Sequence, residues 1–211
     1  MTRIHDMNGF AKTIAIGALV ASTVSCGDVV RSGKSPSFLV VDLLQGQRGG
    51  GTDSAGVPLL SDVLTIKTSP APCTTEIPCP TIFNDVGQVA LRLVPKDVGS
   101  ATAPSTNNDV TISRYRVVYK RADGRNTPGV DVPHPWDGAV TGTVPVGGTL
   151  TLGFELVRHS AKQEAPLAGL VSSPTIITTI TEVTFYGQDR VGNDISATGT
   201  IQIDFGNFGD F

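Results

Sequence analysis

"VTFYGQDRVGNDISATGTIQI", residues 183–203, decides how the rest of the chain is read. On its first arm Val183 and Phe185 alternate with Thr184 and Tyr186. On its second arm Ile195, Ala197, Ile201 and Ile203 oppose Ser196, Thr198, Thr200 and Gln202. A repeat of two with one apolar face marks a half-buried antiparallel strand. Between the arms, Asp189 can accept backbone N–H bonds, and Gly192 and Asn193 tolerate the positive φ that a tight reversal requires. The stretch therefore predicts a β-hairpin with Val183 and Phe185 facing inward.

The same alternation extends outward. In "VGQVALRLV" (86–94), Val89, Leu91 and Leu93 oppose Gln88, Ala90 and Arg92; in "GTLTLGFELV" (148–157), Leu150, Leu152, Phe154 and Leu156 oppose Thr149, Thr151 and Glu155. "DVTISRYRVVYKR" (109–121) changes phase, because Val110 and Ile112 share one parity and Tyr115, Val117 and Tyr119 the other. A bulge or bend between them is expected. "SFLVVDLLQG" (37–46) reads as a strand, and "VPLLSDVLTIKT" (57–68) as another. Residues 37–84 thus hold N-terminal strands and a cysteine loop that either supply a first strand or pad one edge. "GQRGGGTDSAG" (46–56) is a flexible loop without the Gly-Lys-Ser/Thr ending of a phosphate loop. A short helical turn has its place in "SAKQEAPLAGLVSS" (160–173). With 24 Gly and 14 Pro punctuating short strands, the expected fold class is all-β: an antiparallel β-sandwich over residues 85–211. Burial of its apolar faces, at about 25 cal/mol per Å2, is the main force expected to hold it.

The N-terminus sets the compartment. In "TIAIGALVASTVSCGD" (13–28) the apolar run Thr13–Val24 is short of the ~20 residues of a membrane span. It matches the ~7–15-residue apolar region of a secretory signal, with Arg3 and Lys12 as its positive flank. Export to an oxidising space favours joining Cys73 and Cys79 in "PCTTEIPCP" (72–80) as a disulfide. The alternative is a metal site, but two thiolates with no nearby His do not fill a tetrahedral zinc shell. Cys26 is then the odd cysteine of three. The ending "TVSC" resembles the lipobox of bacterial lipoproteins, in which a small residue precedes a cysteine that is acylated and becomes the new N-terminus. Val24 and Ser25 fit that pattern, and Thr23 stands where Leu is usual. The resemblance implies a lipoprotein signal peptide at 1–25, lipidation of Cys26 and a tether at 26–36. Ordinary secretory cleavage near Ser25, leaving a free thiol, is the other reading.

The hairpin pattern V-x-F-x-A-x-D-x-x-G-N resembles the closing hairpin of bacterial immunoglobulin-like and fibronectin type III-like domains. Val183, Phe185, Asp189, Gly192 and Asn193 match it, and Gly187 stands in the place of the small Ala. "ISRYRVVYKRADG" (112–124) is similar to the third fibronectin type III strand, with Tyr115 and Val117 in its apolar places. Strands beginning near Val86, Val110, Gly138, Thr149, Thr175 and Ile195 follow the family's order. The resemblance spans about residues 85–206. It lacks the second-strand tryptophan of the fibronectin type; the single Trp, Trp136, is read as lying in a loop. The resemblances together imply an envelope lipoprotein built on such a domain.

The net charge of −3, without a Lys/Arg cluster, gives no footprint for nucleic acid or anionic lipid surfaces. There is no G-x-S-x-G, H-E-x-x-H or EF-hand pattern, so no catalytic residue, metal site or cofactor is expected. A serine meeting His159 in space stays open, since triads assemble without local signatures. "DVPHPWDGAV" (131–140) gathers His134, Trp136 and Asp137 as a weak ligand-binding candidate. An aromatic beside a carboxylate can hold a sugar or peptide. Trp136 covering an open end of the core is the favoured reading. Asp189, Asp194 and Asp210 are read as turn or solvated residues rather than calcium ligands. In "FGNFGDF" (205–211), Phe205 completes the last strand, and Phe208 and Phe211 either fold back on the domain, the favoured reading, or stand exposed as a partner-binding tail. The functional expectation is a lipid-anchored, non-enzymatic binding or structural subunit of the bacterial cell envelope. Its partners would be the membrane, through the lipid, and envelope proteins or polysaccharide. It would sit at the outer membrane or periplasmic face, or be secreted if Cys26 is not acylated. The alternative is an envelope hydrolase or a carbohydrate-binding accessory protein.

Overall fold

The hairpin forms as the alternation requires. In the computed structural model, which describes residues 33–51, 54–99 and 104–208, β9 (Ile177–Asp189) pairs antiparallel with β10 (Asp194–Gly206), from Gln188↔Asp194 to Ile177↔Phe205. Val183 and Phe185 are fully buried. The Asp189 carboxylate accepts the N–H of Val191 (3.0 Å) and of Asn193 (2.8 Å) and the Asn193 side-chain amide (2.8 Å). Gly192 takes φ +89°, where a Cβ would be strained. The signal segment, Cys26, Asp210 and Phe211 lie outside the described residues.

The remaining strands are β1 (Ser37–Gln47), β2 (Leu59–Asp62), β3 (Thr65–Lys67), β4 (Cys79–Thr81), β5 (Asp85–Pro95), β6 (Val110–Lys120), β7 (Trp136–Val144) and β8 (Thr149–Val157). They make the chain all-β, with two main sheets ordered β1-β5-β8 and β2-β10-β9-β6-β7, and a small β3-β4 pair. One continuous core lies between the main sheets. Leu39, Val89, Leu91 and Leu156 enter it from one side, and Ile112, Val117, Phe185 and Ile203 from the other. β1 and β2 belong to these sheets, so the core draws on residues well before 85.

Three expectations change in detail, and the expected bulge in β6 is located. The sheets are not purely antiparallel, since β2 runs parallel to β10 over Leu59–Asp62. The stretch 57–68 makes two strands rather than one. The Asp62 carboxylate accepts the Leu64 N–H (3.4 Å), and buried Val63 donates its N–H to Gly206 (3.0 Å), turning the chain between β2 and β3. The phase break in β6 is a register shift between Ile112 and Arg114, which returns Tyr115, Val117 and Tyr119 to the same inner face as Val110 and Ile112. Trp136 is not in a loop; it opens β7, paired with Val117, and is buried.

The register shift also accounts for Gly187. A Cβ there would lie 2.5 Å from the Thr111 carbonyl oxygen, so the alanine of the resembled pattern does not fit beside this bulge. The helical turn expected within 160–173 appears as α1 (His159–Lys162) and a 3-10 turn at Leu167–Ser172. Cys73 and Cys79 are joined, with Sγ–Sγ 2.07 Å and Cα–Cα 5.4 Å. Phe208 folds back, its ring reaching the backbone at Gly206 and its N–H meeting Asp62 (3.3 Å). No helix among the described residues is long and apolar enough to cross a membrane.

Candidate functional site

The two ends of the facing sheets are built differently, and both must be considered for a site. At the lower end β5 begins, β8 stops and α1 turns the chain inward. The short α1 carries Lys162 into the protein, where its ammonium donates to Asp85 Oδ1 at 2.9 Å. Asp85 also accepts the Ser61 hydroxyl (2.6 Å) and the Gly49 N–H (2.9 Å). Lys162 and Asp85 are 1% and 0% exposed, so this serine, aspartate and lysine are closed to any substrate. Burial pushes the Asp85 carboxyl up, and the Lys162 charge pulls against it. The Ser61 proton is directed at a carboxylate that already has a cation. The cluster joins β2, β5 and α1 rather than activating a nucleophile.

An aromatic cluster adjoins that end. Tyr115 meets Phe154 edge-on at 4.9 Å and Trp136 at 5.3 Å, and Phe154 meets Phe185 at 5.2 Å. The tyrosine hydroxyls point across to β8: Tyr115 donates to the Glu155 carbonyl and Tyr119 to that of Leu156, each at 2.9 Å. Burial raises both phenols, Tyr115 to about 12. The rings are seated on glycines: a Cβ at Gly138 would lie 2.3 Å from Tyr115.

The grouping of His134, Trp136 and Asp137 therefore separates in space. Trp136 packs inward, its indole N–H directed at the Tyr119 oxygen (3.4 Å) and the Arg158 guanidinium over its ring at 4.9 Å. Its face is covered, as expected for a residue closing the end of a core. Strand alternation turns Asp137 outward, where it pairs with Arg116 (2.6 Å) and Arg114 (3.2 Å). His134 is exposed on the loop before β7, beside Gly129, and His159 is exposed at the start of α1. The described residues contain no group of three or more His, Cys, Asp or Glu able to hold a metal ion.

The upper end is open. Where β1 and β10 begin and β5 ends, a groove of about 710 Å3 separates the edges of the two sheets. Ser37 and Leu39 line it from β1, Lys96 from the chain leaving β5, Arg114 from the β6 bulge, and Tyr186 and Ile195 from the hairpin. It continues past Leu39 into a second hollow of about 520 Å3 between Leu39–Leu44 and Ala197–Thr200. A cation lies over each of two aromatic rings along it: Arg114 stacks on Tyr186 at 3.7 Å, and Lys96 lies 5.1 Å over Phe38, which stays exposed. Ser37 is 1% exposed, and its hydroxyl has no hydrogen-bond partner.

Of the residues lining the groove, Tyr186, Gly187 and Ile195 are read from the sequence only as parts of the hairpin and Asp194 only as a turn or solvated residue, none as a groove. The one available signal was the phase break at Ser113–Arg114, which places Arg114 outward beside Tyr186. Ser37 sits in an ordinary apolar strand, and its isolation arises only from packing between the sheets. No protein-family model matches the chain, and no curated protein matches it significantly.

Proposed function

We propose that this chain is a lipid-anchored, non-enzymatic binding subunit of the bacterial envelope, with its ligand held in the upper groove. The observation that carries the binding reading is a groove of about 710 Å3 with the unpartnered, buried Ser37 hydroxyl in its wall. The other unpartnered buried side-chain atom among the described residues, Arg158 Nε, belongs to the guanidinium that lies over Trp136 at the filled end of the core. The compartment is inferred from the signal-like segment ending at Cys26, and the bonded Cys73–Cys79 pair is in keeping with it. The scaffold is read as an immunoglobulin-like or fibronectin type III-like sandwich. In that reading β1-β5-β8 take the places of strands A, B and E, and β2-β10-β9-β6-β7 those of A′, G, F, C and C′. The hydrolase alternative draws no support from Ser61, Asp85 and Lys162, which are sealed from substrate.

Two measurements test this. Replacing Cys26 with Ala should move the protein from the detergent phase to the aqueous phase; retention there overturns the anchor. Ser196→Cys, at the groove, should react with a small maleimide in purified protein and be shielded in intact cells, whereas Thr151→Cys on the opposite sheet should react in both. Equal reactivity of Ser196→Cys in both settings overturns binding at the groove.

A further inference from the structure

β10 presents a bare stretch of edge to this groove. β9 occupies one side of it throughout, while β2 covers the other side only at Ile203–Gly206. Among the described residues, no strand pairs with the outer side of Asp194–Gln202. Alternate residues of an antiparallel strand turn N–H and C=O away from the partner, so this stretch offers a row of ladder groups to the open side. Natural proteins blunt such edges with a charge, a proline or a bulge. β1, the strand across the groove, is blunted in this way: its register shifts at Asp42, which pairs with Arg92 at 2.7 Å. β10 is not. "ISATGTIQ" (195–202) has no charge and no proline, and its register with β9 is unbroken.

We propose that the groove takes an extended peptide segment of a partner protein, added to β10 in line with β2, with a carboxylate at the end near Lys96 and Arg114. This rests on the binding reading above and names its ligand class. Main-chain bonds to Asp194–Gln202 supply the pairing. The peptide's inward side chains lie over Leu39, Ile195 and Ala197, which favours small or β-branched residues at every second position. Ser37 lies in the wall of the groove with its unpartnered hydroxyl covered in the free protein, so its bond to the peptide requires the first residues of β1 to shift. Lys96 and Arg114 line the groove, with Arg116 beside Arg114; against these three cations stand Asp137, which the two arginines share (3.2 and 2.6 Å), and Asp194, which already accepts a bond from Gln188 (2.7 Å). That imbalance places the acidic end of the peptide. A sugar is the weaker fit, because Arg114 occupies the Tyr186 face and leaves Phe38, 56% exposed beside Lys96, as the one ring of this pair free to stack on it.

The test uses the full-length mature protein in detergent micelles and a synthetic nine-residue peptide alternating valine and threonine and ending in glutamate. The peptide should slow amide hydrogen exchange within Asp194–Gln202 and leave β7 unchanged. Of two peptides N-methylated on opposite sets of alternate amides, one should lose binding about tenfold or more and the other retain it. Ser37→Ala should keep the melting temperature and weaken the peptide about tenfold, since its hydroxyl bonds nothing in the free protein. The proposal is overturned by absence of binding, by protection elsewhere, or by indifference to both methylation patterns. Slowing of the same amides by protein concentration alone would assign the edge to a second copy. Slowing by a peptidoglycan-derived oligosaccharide, but not by the peptide, would assign it to sugar and leave the binding reading standing. Failure of the Ser196→Cys shielding is the separate result that removes that reading.

Discussion

At the end where β5 begins, buried Asp85 accepts bonds from Lys162 and Ser61, both sealed from water, and from the part-buried Gly49. At the end where β1 begins, Ser37 keeps a buried hydroxyl with no partner, beside a groove of about 710 Å3. Phe185 and Tyr186, neighbours on one strand, show a like contrast on its two faces rather than at its two ends. Phe185 lies in the aromatic cluster with Phe154 and Tyr115, and Tyr186 lines the groove under Arg114. The difference between the ends shows which is built for rigidity and which has room for another molecule. A buried polar group costs stability unless it is bonded, so an isolated one persists more readily where a ligand completes it.

The closed end should be the most sensitive to substitution. Lys162→Met leaves Asp85 buried without its cation, and the expected loss is about 3–5 kcal/mol by chemical denaturation at neutral pH. The pH dependence follows from the direction of the Asp85 shift. Burial raises the folded-state pKa above the unfolded value, and removing Lys162 raises it further. A group raised on folding contributes stability below its unfolded pKa and loses that contribution as pH rises through the folded value. The Lys162→Met deficit should therefore shrink as pH is lowered from 7 towards 5. A deficit that does not change with pH breaks this account of the closed end.

Phe185→Ala opens a cavity among Tyr115, Phe154 and Val183, for an expected loss of about 3–5 kcal/mol. Tyr186→Ala removes a half-buried ring and one cation–π contact, with an expected loss of about 1 kcal/mol or less. Thermal unfolding of the pair tests the contrast directly; a larger loss at Tyr186 would mean that the two residues belong to the opposite faces.

Opening the Cys73–Cys79 bond by Cys79→Ser removes a cross-link of sequence separation 6, worth about 2 kcal/mol by loop entropy. Cys79 lies in β4, which among the described residues pairs only with β3, so hydrogen exchange should quicken there first. Equal quickening at both ends of the main sheets would show that the small sheet supports them, and that the ends are not independent.

Period two was enough to orient Val89, Leu91, Phe154, Val183 and Ile203, because a strand's side chains alternate whatever it packs against. The phase break in "DVTISRYRVVYKR" was likewise visible as a bulge, since only an extra residue returns Tyr115 and Val117 to the face of Val110. Asp189 as the turn acceptor, the helical turn near Lys162 and the Cys73–Cys79 pair could also be read locally. Burial of Lys162 could not, because its partner Asp85 is distant in sequence and the alternation of charge carries no record of which carboxylate closes on it. Trp136 was misplaced into a loop because the flanking Pro133 and Pro135 masked the start of β7. The parallel pairing of β2 with β10 left no local sign either.

By itself, then, the sequence determined the all-β class, the inner and outer faces of the long strands, and the disulfide. Each of these depends on residues within a few positions of one another. The tertiary structure alone decided that β1 and β2 enter opposite sheets, that Asp85 and Lys162 seal one end, and that the other keeps a groove along an unpaired edge. Those features arise where edges distant in sequence meet, and their energies depend on what each side chain finds across the gap.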